Sequence, residues 1–322
     1  MQTVQPKKSD AKNPIRIGLV GCGRVAEFGY LPAFRQARGV KLAGVADINL
    51  SRCEDIAPGV PAYENIRALI NAGGFDALVI SIPTRFHLAA ARCAAEAGLP
   101  ALLEKPPGLD VEEASALQAL NPPPWIAFNR RFEPGIVSLK EELPRDGNLD
   151  LRLELHYRKN SWKSFDMQDD VLLDLGPHLI DLARWLTASE VRWARAHFLH
   201  ERRIEFELAL ERAHATILCS NNRPHCERIE AKDELGRVRG YRRGGLVAGI
   251  AARLRPNREN PLVISLAGQL EAFGGVVRGT LRGSPLATVA DGLVVMSAID
   301  AVRRSAVQDG AECALQIVRQ IN

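Results

Sequence analysis

Asp174, His178 and Asp181 stand at i, i+4 and i+7 of one otherwise apolar run, residues 171–182. That spacing puts three ionisable side chains on a single helical face. Pro177 suits the first turn of a helix and Gly176 its cap. His178 is therefore expected near a helix N-terminus, where the positive end of the dipole disfavours the imidazolium. A neutral imidazole beside carboxylates is a general base; the same pattern also describes a buried histidine satisfied by aspartates. Asp181, a turn deeper, reads as support for the helix. Lys105, in Glu104-Lys105-Pro106, is the other candidate. It is either a solvated lysine after an edge strand or an ammonium placed to stabilise a developing alkoxide. Pro106 raises the chance of a cis bond that turns this lysine inward.

Such groups need elements to hold them. Residues 15–20 read as a buried strand that runs into Gly21-Cys22-Gly23-Arg24-Val25-Ala26, the Gly-x-Gly-x-x-Ala dinucleotide fingerprint. Gly21 permits the tight turn, Gly23 lets the backbone approach a pyrophosphate, and Ala26 keeps the next helix close to the strand. The pyrophosphate would rest on amides at that helix start, with Arg24 and Val25 beside it. A second strand, 41–47, ends in Asp47, roughly twenty residues past the glycines, where a ribose-binding acid is expected. Asp47 favours NAD, and the nearby Arg52 keeps NADP open. A strand over 76–83 ends in Ile82, Pro83 and Thr84, with His87 following, and another ends at Glu104 and Lys105. Short apolar strands alternating with helical segments make a doubly wound parallel sheet, whose ligands bind at the strands' carboxyl ends. Gly21, Asp47, Pro83 and Lys105 all fall at such ends. With a nicotinamide there, His178 taking a hydroxyl proton while Lys105 holds the oxygen is the chemistry of hydride transfer from a secondary alcohol.

Beyond 121–125 the period changes to two: Leu149, Leu151, Leu153, Leu155 and Tyr157 alternate with polar residues, as do Ile204, Phe206, Leu208 and Leu210. These are half-buried, antiparallel strands. Helical patterns at 262–279 and 287–307 close the chain. The domain reading is a flexible tail over 1–14, a nucleotide-binding domain over 15–124, and a substrate and oligomerisation domain over 125–322 with a large, mainly antiparallel open sheet. A chain of 322 residues accommodates two domains. Its composition, 46% hydrophobic and 25% charged, excludes wholesale disorder. A net charge of +4 is too mild to argue for nucleic acid, and no apolar run is long enough for a membrane span. The start lacks a signal peptide's apolar core, and six scattered cysteines fit reduced thiols in a cytoplasm. Cys219, His225 and Cys226 come nearest to metal spacing without a fourth ligand, so no metal is assigned.

These motifs, in this order, resemble the glucose–fructose oxidoreductase, inositol dehydrogenase and rhizopine-catabolism family over nearly all of residues 15–315. The marks are the glycine turn at 21–26, the Pro83-to-His87 turn, Glu104-Lys105-Pro106, Asn129-Arg130-Arg131-Phe132-x-Pro134, and Asp174-x-Gly176-x-His178-x-x-Asp181. The segments Gln269-x-x-x-Phe273 and Asp291-Gly292 follow. The resemblance implies an α/β protein: a Rossmann domain, then an α+β domain with an open antiparallel sheet, the active site between them, and homodimers or homotetramers pairing through that sheet. It implies that Lys105 contacts the reacting oxygen, that His178 is acid and base, and that Asp174 accompanies them. Asn129, Arg131 and Trp162 would line the nicotinamide and substrate; a salt bridge at the domain seam is the alternative for Arg131.

Two features bear on substrate. Where relatives carry a glycine-rich turn, this chain has Met167-Gln168-Asp169-Asp170. Its carboxylates would favour an amino group, or they form a solvated turn. Arg228, Arg237, Arg239, Arg242, Arg243, Arg253, Arg255 and Arg258 cluster loosely: they would grip the diphosphate of a nucleotide sugar, or form a solvated face. The expected function is an NAD(P)-dependent oxidoreductase acting on a sugar, sugar derivative or cyclitol. The alternatives are a glycoside hydrolase that uses bound NAD and a non-catalytic nucleotide sensor.

Overall fold

The chain lays down β1 (Ile15–Val20), a helical turn of π register (Ala26–Tyr30) continuing into α1 (Leu31–Gln36), β2 (Val40–Ala46) and α2 (Leu50–Ile56). Next come β3 (Ala62–Tyr63), α3 (Ile66–Ala72), β4 (Ala77–Ile80), α4 (His87–Glu96), β5 (Ala101–Glu104), α5 (Val111–Ala116) and β6 (Trp125–Ala127). The second half holds α6 (Pro134–Glu142), β7 (Leu149–Arg158), α7 (Val171–Thr187), β8 (Val191–His200), β9 (Arg203–Leu210), β10 (Ala213–Ser220), β11 (Asn222–Asp233) and β12 (Val238–Gly244). It closes with α8 (Pro261–Val277), α9 (Val289–Val307) and β13 (Cys313–Ala314). This computed structural model describes residues 13–158, 170–244, 260–281 and 283–316. Those residues divide into two compact units: 13–104, 116–132 and 260–289 in one, 105–115, 133–244 and 290–316 in the other.

In the first unit the strands pair in the order β3-β2-β1-β4-β5-β6, every neighbour parallel. That order reverses at β1, and the crevice of such a sheet lies at the reversal, outside the strands' carboxyl ends. β4 is buried at each of its four residues, as expected for a parallel strand covered on both sides. Asparagines start the following helices: the Asn49 side chain accepts from Arg52 N–H and Asn65 from Ala68 N–H, each satisfying a first-turn donor.

The second unit holds a seven-stranded sheet ordered β12-β11-β7-β10-β9-β8-β13. It is mixed: β7 and β10 run parallel at its centre, and every other neighbour is antiparallel. On β7, Leu149, Leu151, Leu153 and Leu155 are buried while Asp150 and Arg152 are exposed. The leucine row faces α7, which packs on β7, β9 and β10.

Helix α7 departs from the sequence reading at its start. It begins at Val171, and its N-cap is Asp170, whose carboxylate accepts from Leu173 N–H at 2.7 Å. Gly176 is no cap, Pro177 lies inside the helix, and His178 is its eighth residue. Burying Val171, Leu172 and Leu173 in the core extends the helix a turn ahead of the Gly-Pro pair. The dipole argument for a neutral His178 therefore falls, because that field fades within the first turn.

Candidate active site

The glycine turn is shaped by contacts that leave little choice of residue. Gly21 has φ +101°, and a Cβ there would lie 2.1 Å from the Ser81 carbonyl oxygen, so only glycine fits. A Cβ on Gly23 would meet nothing within 4 Å; the space over that residue is open. Ala26 is fully buried against the core, and the Arg24 guanidinium lies 5.0 Å over the Phe28 ring. Val25 is half-buried in the same turn.

Asp47, just past β2, accepts from Cys22 N–H at 2.7 Å and from Asn49 N–H at 2.9 Å. The acid expected at the ribose is thus fastened to the glycine turn itself. Arg52 Nε donates to the Cys22 carbonyl at 3.3 Å, and its Nη2 is paired with Glu27. The arginine that kept NADP open has a carboxylate partner in the turn's own helix. A contact invisible in the sequence sits alongside: the buried sulfurs of Cys22 and Cys53 are 3.3 Å apart. Burial pushes both thiols up from their usual range.

At the end of β4, Ile82 is half-buried, Pro83 exposed and Thr84 buried. His87 is buried, its Nε2 2.8 Å from the Ile82 carbonyl oxygen; it braces this turn from beneath. At the end of β5, Glu104 Oε1 accepts from the hydroxyl of the fully buried Tyr30 at 2.7 Å. Burial, and then the Glu104 carboxylate, hold that phenol well above its ordinary range. Asn129 Nδ2 donates to Ser265 Oγ on α8 at 2.9 Å, and the buried Arg131 donates to the Pro285 carbonyl at 3.3 Å.

Lys105 opens the second unit, one peptide bond past Glu104, and its bond to Pro106 is cis. Its Nζ donates to Asp174 Oδ1 at 3.0 Å and to the Asp174 carbonyl oxygen at 2.9 Å. The other carboxylate oxygen, Oδ2, accepts from the Tyr157 hydroxyl. Lysine, aspartate and tyrosine thus meet, and Tyr157 is a partner the sequence reading counted only as a member of a strand row. His178 lies one turn beyond Asp174. Over residues 171–184 every other side chain of α7 is buried, and His178 alone keeps partial exposure. Asp181 is buried. Farther along, Arg184 donates to Glu190 at 2.7 Å and to Asp291 at 3.1 Å.

Four of the residues read for substrate charge, Asp170, Arg228, Arg237 and Arg239, have ionic partners within the chain. Asp170 caps α7 and is 3.2 Å from Arg303. Arg228 pairs with Glu230, and Arg237 and Arg239 approach Asp233 at 2.7 and 3.7 Å. These arginines stand on β11, on the edge strand β12 or in the turn between them, where charge deters pairing with another chain. Trp162, Asp169, Arg253, Arg255 and Arg258 lie outside the described residues. Among the described residues no group of three His, Cys, Asp or Glu is placed to hold a metal ion, and no helix is long and apolar enough to cross a membrane.

Residues 15–122 match the family described as "Oxidoreductase family, NAD-binding Rossmann fold" (GFO_IDH_MocA). Similar curated proteins include the rhizopine catabolism protein MocA of Rhizobium meliloti, 32% identical over 54% of this chain and 58% of that protein. The inositol 2-dehydrogenase of Corynebacterium glutamicum is 30% identical over 55% of each. The chain's match thus spans little more than half the length of these relatives. In fold it is similar to the scyllo-inositol dehydrogenase from Lactobacillus casei solved with bound NAD(H) and scyllo-inositol. That likeness has a TM-score of 0.77 at 19% identity and covers 94% of this chain and 99% of the other.

Proposed function

We propose, with residues 15–122 belonging to the oxidoreductase family of NAD-binding Rossmann fold, that this chain is an NAD(P)-dependent oxidoreductase. It acts on a secondary alcohol or ketone carbon of a sugar, sugar derivative or cyclitol. The observation that carries this reading is the Lys105–Asp174 ion pair, formed one residue past the strand end at Glu104.

The turn at 21–26 fits the cofactor. A Cβ would fill the open space above Gly23, the close approach that a pyrophosphate needs. Asp47, fixed by two backbone N–H groups, presents a carboxylate suited to ribose hydroxyls and repellent to a 2′-phosphate. Glu27 holding Arg52 supports NAD over NADP as well. When bound, the nicotinamide supplies a hydride acceptor or donor.

The chain's own residues handle the oxygen and the proton. Asp174 holds the Lys105 ammonium in an ion pair, and that ammonium stabilises negative charge developing on the substrate oxygen. His178, the one accessible side chain of its helical stretch, takes the hydroxyl proton in oxidation and returns it in reduction. With Asp170 engaged by Leu173 and Arg303, and three arginines engaged by carboxylates, an uncharged polyol is favoured over amino or nucleotide-linked sugars. The relative named as an inositol dehydrogenase supports the same class.

The test is to incubate the protein with NAD+ or NADP+ and a panel of cyclitols, aldoses and sugar phosphates, following formation of the reduced nicotinamide. Reduction with at least one uncharged polyol is expected, at higher kcat/KM with NAD+. No reduction with any substrate, together with no binding of NADH, overturns the reading.

A further inference from the structure

β7 sets a row of leucines against α7, with Leu149, Leu151, Leu153 and Leu155 all buried. The next place in that row is Tyr157. A phenylalanine would continue the apolar contact equally well, so the hydroxyl is what the position adds. That hydroxyl donates to Asp174 Oδ2, while Lys105 takes Oδ1 and the Asp174 carbonyl oxygen.

We infer that Tyr157 is a positioning residue: by fastening the second oxygen of Asp174 it fixes the carboxylate that aims Lys105. The inference rests on the proposed dehydrogenase reading for what Lys105 is aimed at, but the juxtaposition stands by itself. Asp174 is buried, and a buried carboxylate needs a partner for each oxygen. Held on one oxygen only, its plane can turn about its terminal side-chain torsion, a broad and soft coordinate. Tyr157 and Lys105 on opposite oxygens stop that rotation. An ammonium has three donors in fixed mutual directions; with two drawn onto Asp174, the direction of the third is set. Tyr157 thus acts on the substrate oxygen at one remove, through Asp174 and then Lys105, without touching it.

The experiment compares wild type, Tyr157→Phe, Asp174→Asn and the double variant, with circular dichroism to establish folding. With a polyol that the enzyme turns over, Tyr157→Phe is expected to lower kcat on the order of ten- to a hundredfold, the loss of one hydrogen bond to a charged group. KM should change little, because orientation of the reacting groups is lost rather than affinity. In the Asp174→Asn background the same substitution should cost almost nothing further. A second readout needs no substrate: trace acetylation with mass spectrometry, using Lys41, Lys140 and Lys232 as internal standards. Lys105 should be labelled several-fold faster in Tyr157→Phe than in wild type. Placing 3-fluorotyrosine at position 157 alone, a stronger donor of nearly the same shape, should slow Lys105 labelling even if Tyr157→Phe does not fold.

Unchanged Lys105 labelling in both altered proteins overturns the inference, as does an equal loss of kcat with and without Asp174. If wild type turns over no polyol, the dehydrogenase reading fails, while the labelling still decides whether Tyr157 governs Lys105.

Discussion

The hydroxyl of Tyr30 donates to Glu104 Oε1 at 2.7 Å, tying the helical turn after the glycine fingerprint to the last residue of β5. Lys105 is the next residue of the chain, so this bond anchors the backbone from which the ammonium extends. Tyr30→Phe keeps the ring and deletes the donor. The expected cost is about 1–3 kcal/mol, the penalty for an acceptor deprived of its partner. A urea midpoint equal to that of wild type would show that the bond adds no net stability.

Gly21 and Gly23 separate folding from binding. Gly21→Ala drives a Cβ to 2.1 Å from a main-chain oxygen and should destabilise the first unit severely. Gly23→Ala meets nothing, so its melting temperature should match wild type. Its NADH affinity should nevertheless fall about ten- to a hundredfold, the usual scale of a 1–3 kcal/mol steric penalty. Calorimetric titration on both variants measures this; intact NADH binding by Gly23→Ala would remove the turn from the cofactor site.

Under the proposed reading, cofactor choice is expected to depend on three residues, Asp47, Arg52 and Glu27, rather than on Asp47 alone. Asp47→Ser removes the repulsion of a 2′-phosphate but leaves Arg52 paired with Glu27. The single variant should shift the NAD to NADP ratio of kcat/KM by about tenfold, and Asp47→Ser with Glu27→Gln by about tenfold more, as one additional charge contact is released. An equal ratio in the single and double variants would mean that Glu27 does not restrain Arg52.

His178→Ala and Lys105→Met should each lose about 10²- to 10⁴-fold in kcat, the range for a positioned acid–base or charge-stabilising group. Both should bind NADH as wild type does. Undiminished turnover in either variant would take that residue out of the reaction.

His156 gives a stability signature. Burial first, and then the charge of Arg223, hold its imidazole below the ordinary range. The folded pKa is the lower one, so the unfolded chain binds the extra proton. The stability is therefore present above the unfolded value of about 6.5 and is lost as pH falls through the folded one. Lowering the pH from about 7 to about 5 should reduce the urea midpoint, and by less in His156→Gln. An imidazole titrating above the free value by NMR would reverse the sign.

Much of the first unit was legible because parallel strands and the glycine turn are written in local residue types. Gly21, Gly23, Asp47 and Lys105 each sit at a strand end for reasons of sterics or charge that a spacing can express. The start of α7 was misread because Gly176-Pro177 imitates a cap and first turn. Asp170, the actual cap, follows a carboxylate and precedes three apolar residues, and nothing local says that those three are core. Tyr157 and Tyr30 escaped because an aromatic in a strand row or on a helix face reads as packing. Their hydroxyl partners lie 17 and 74 residues away. For Arg228, Arg237 and Arg239 the carboxylate partners, Glu230 and Asp233, could not be read from the spacing of the arginines.

Helix α7 is buried over residues 171–184 everywhere but at His178. Almost every substitution there would disturb packing before it reached a substrate, so the helix is closed to gradual change. Under the proposed reading, a change of substrate is then expected to come from residues outside this helix, with His178 inherited as its one window.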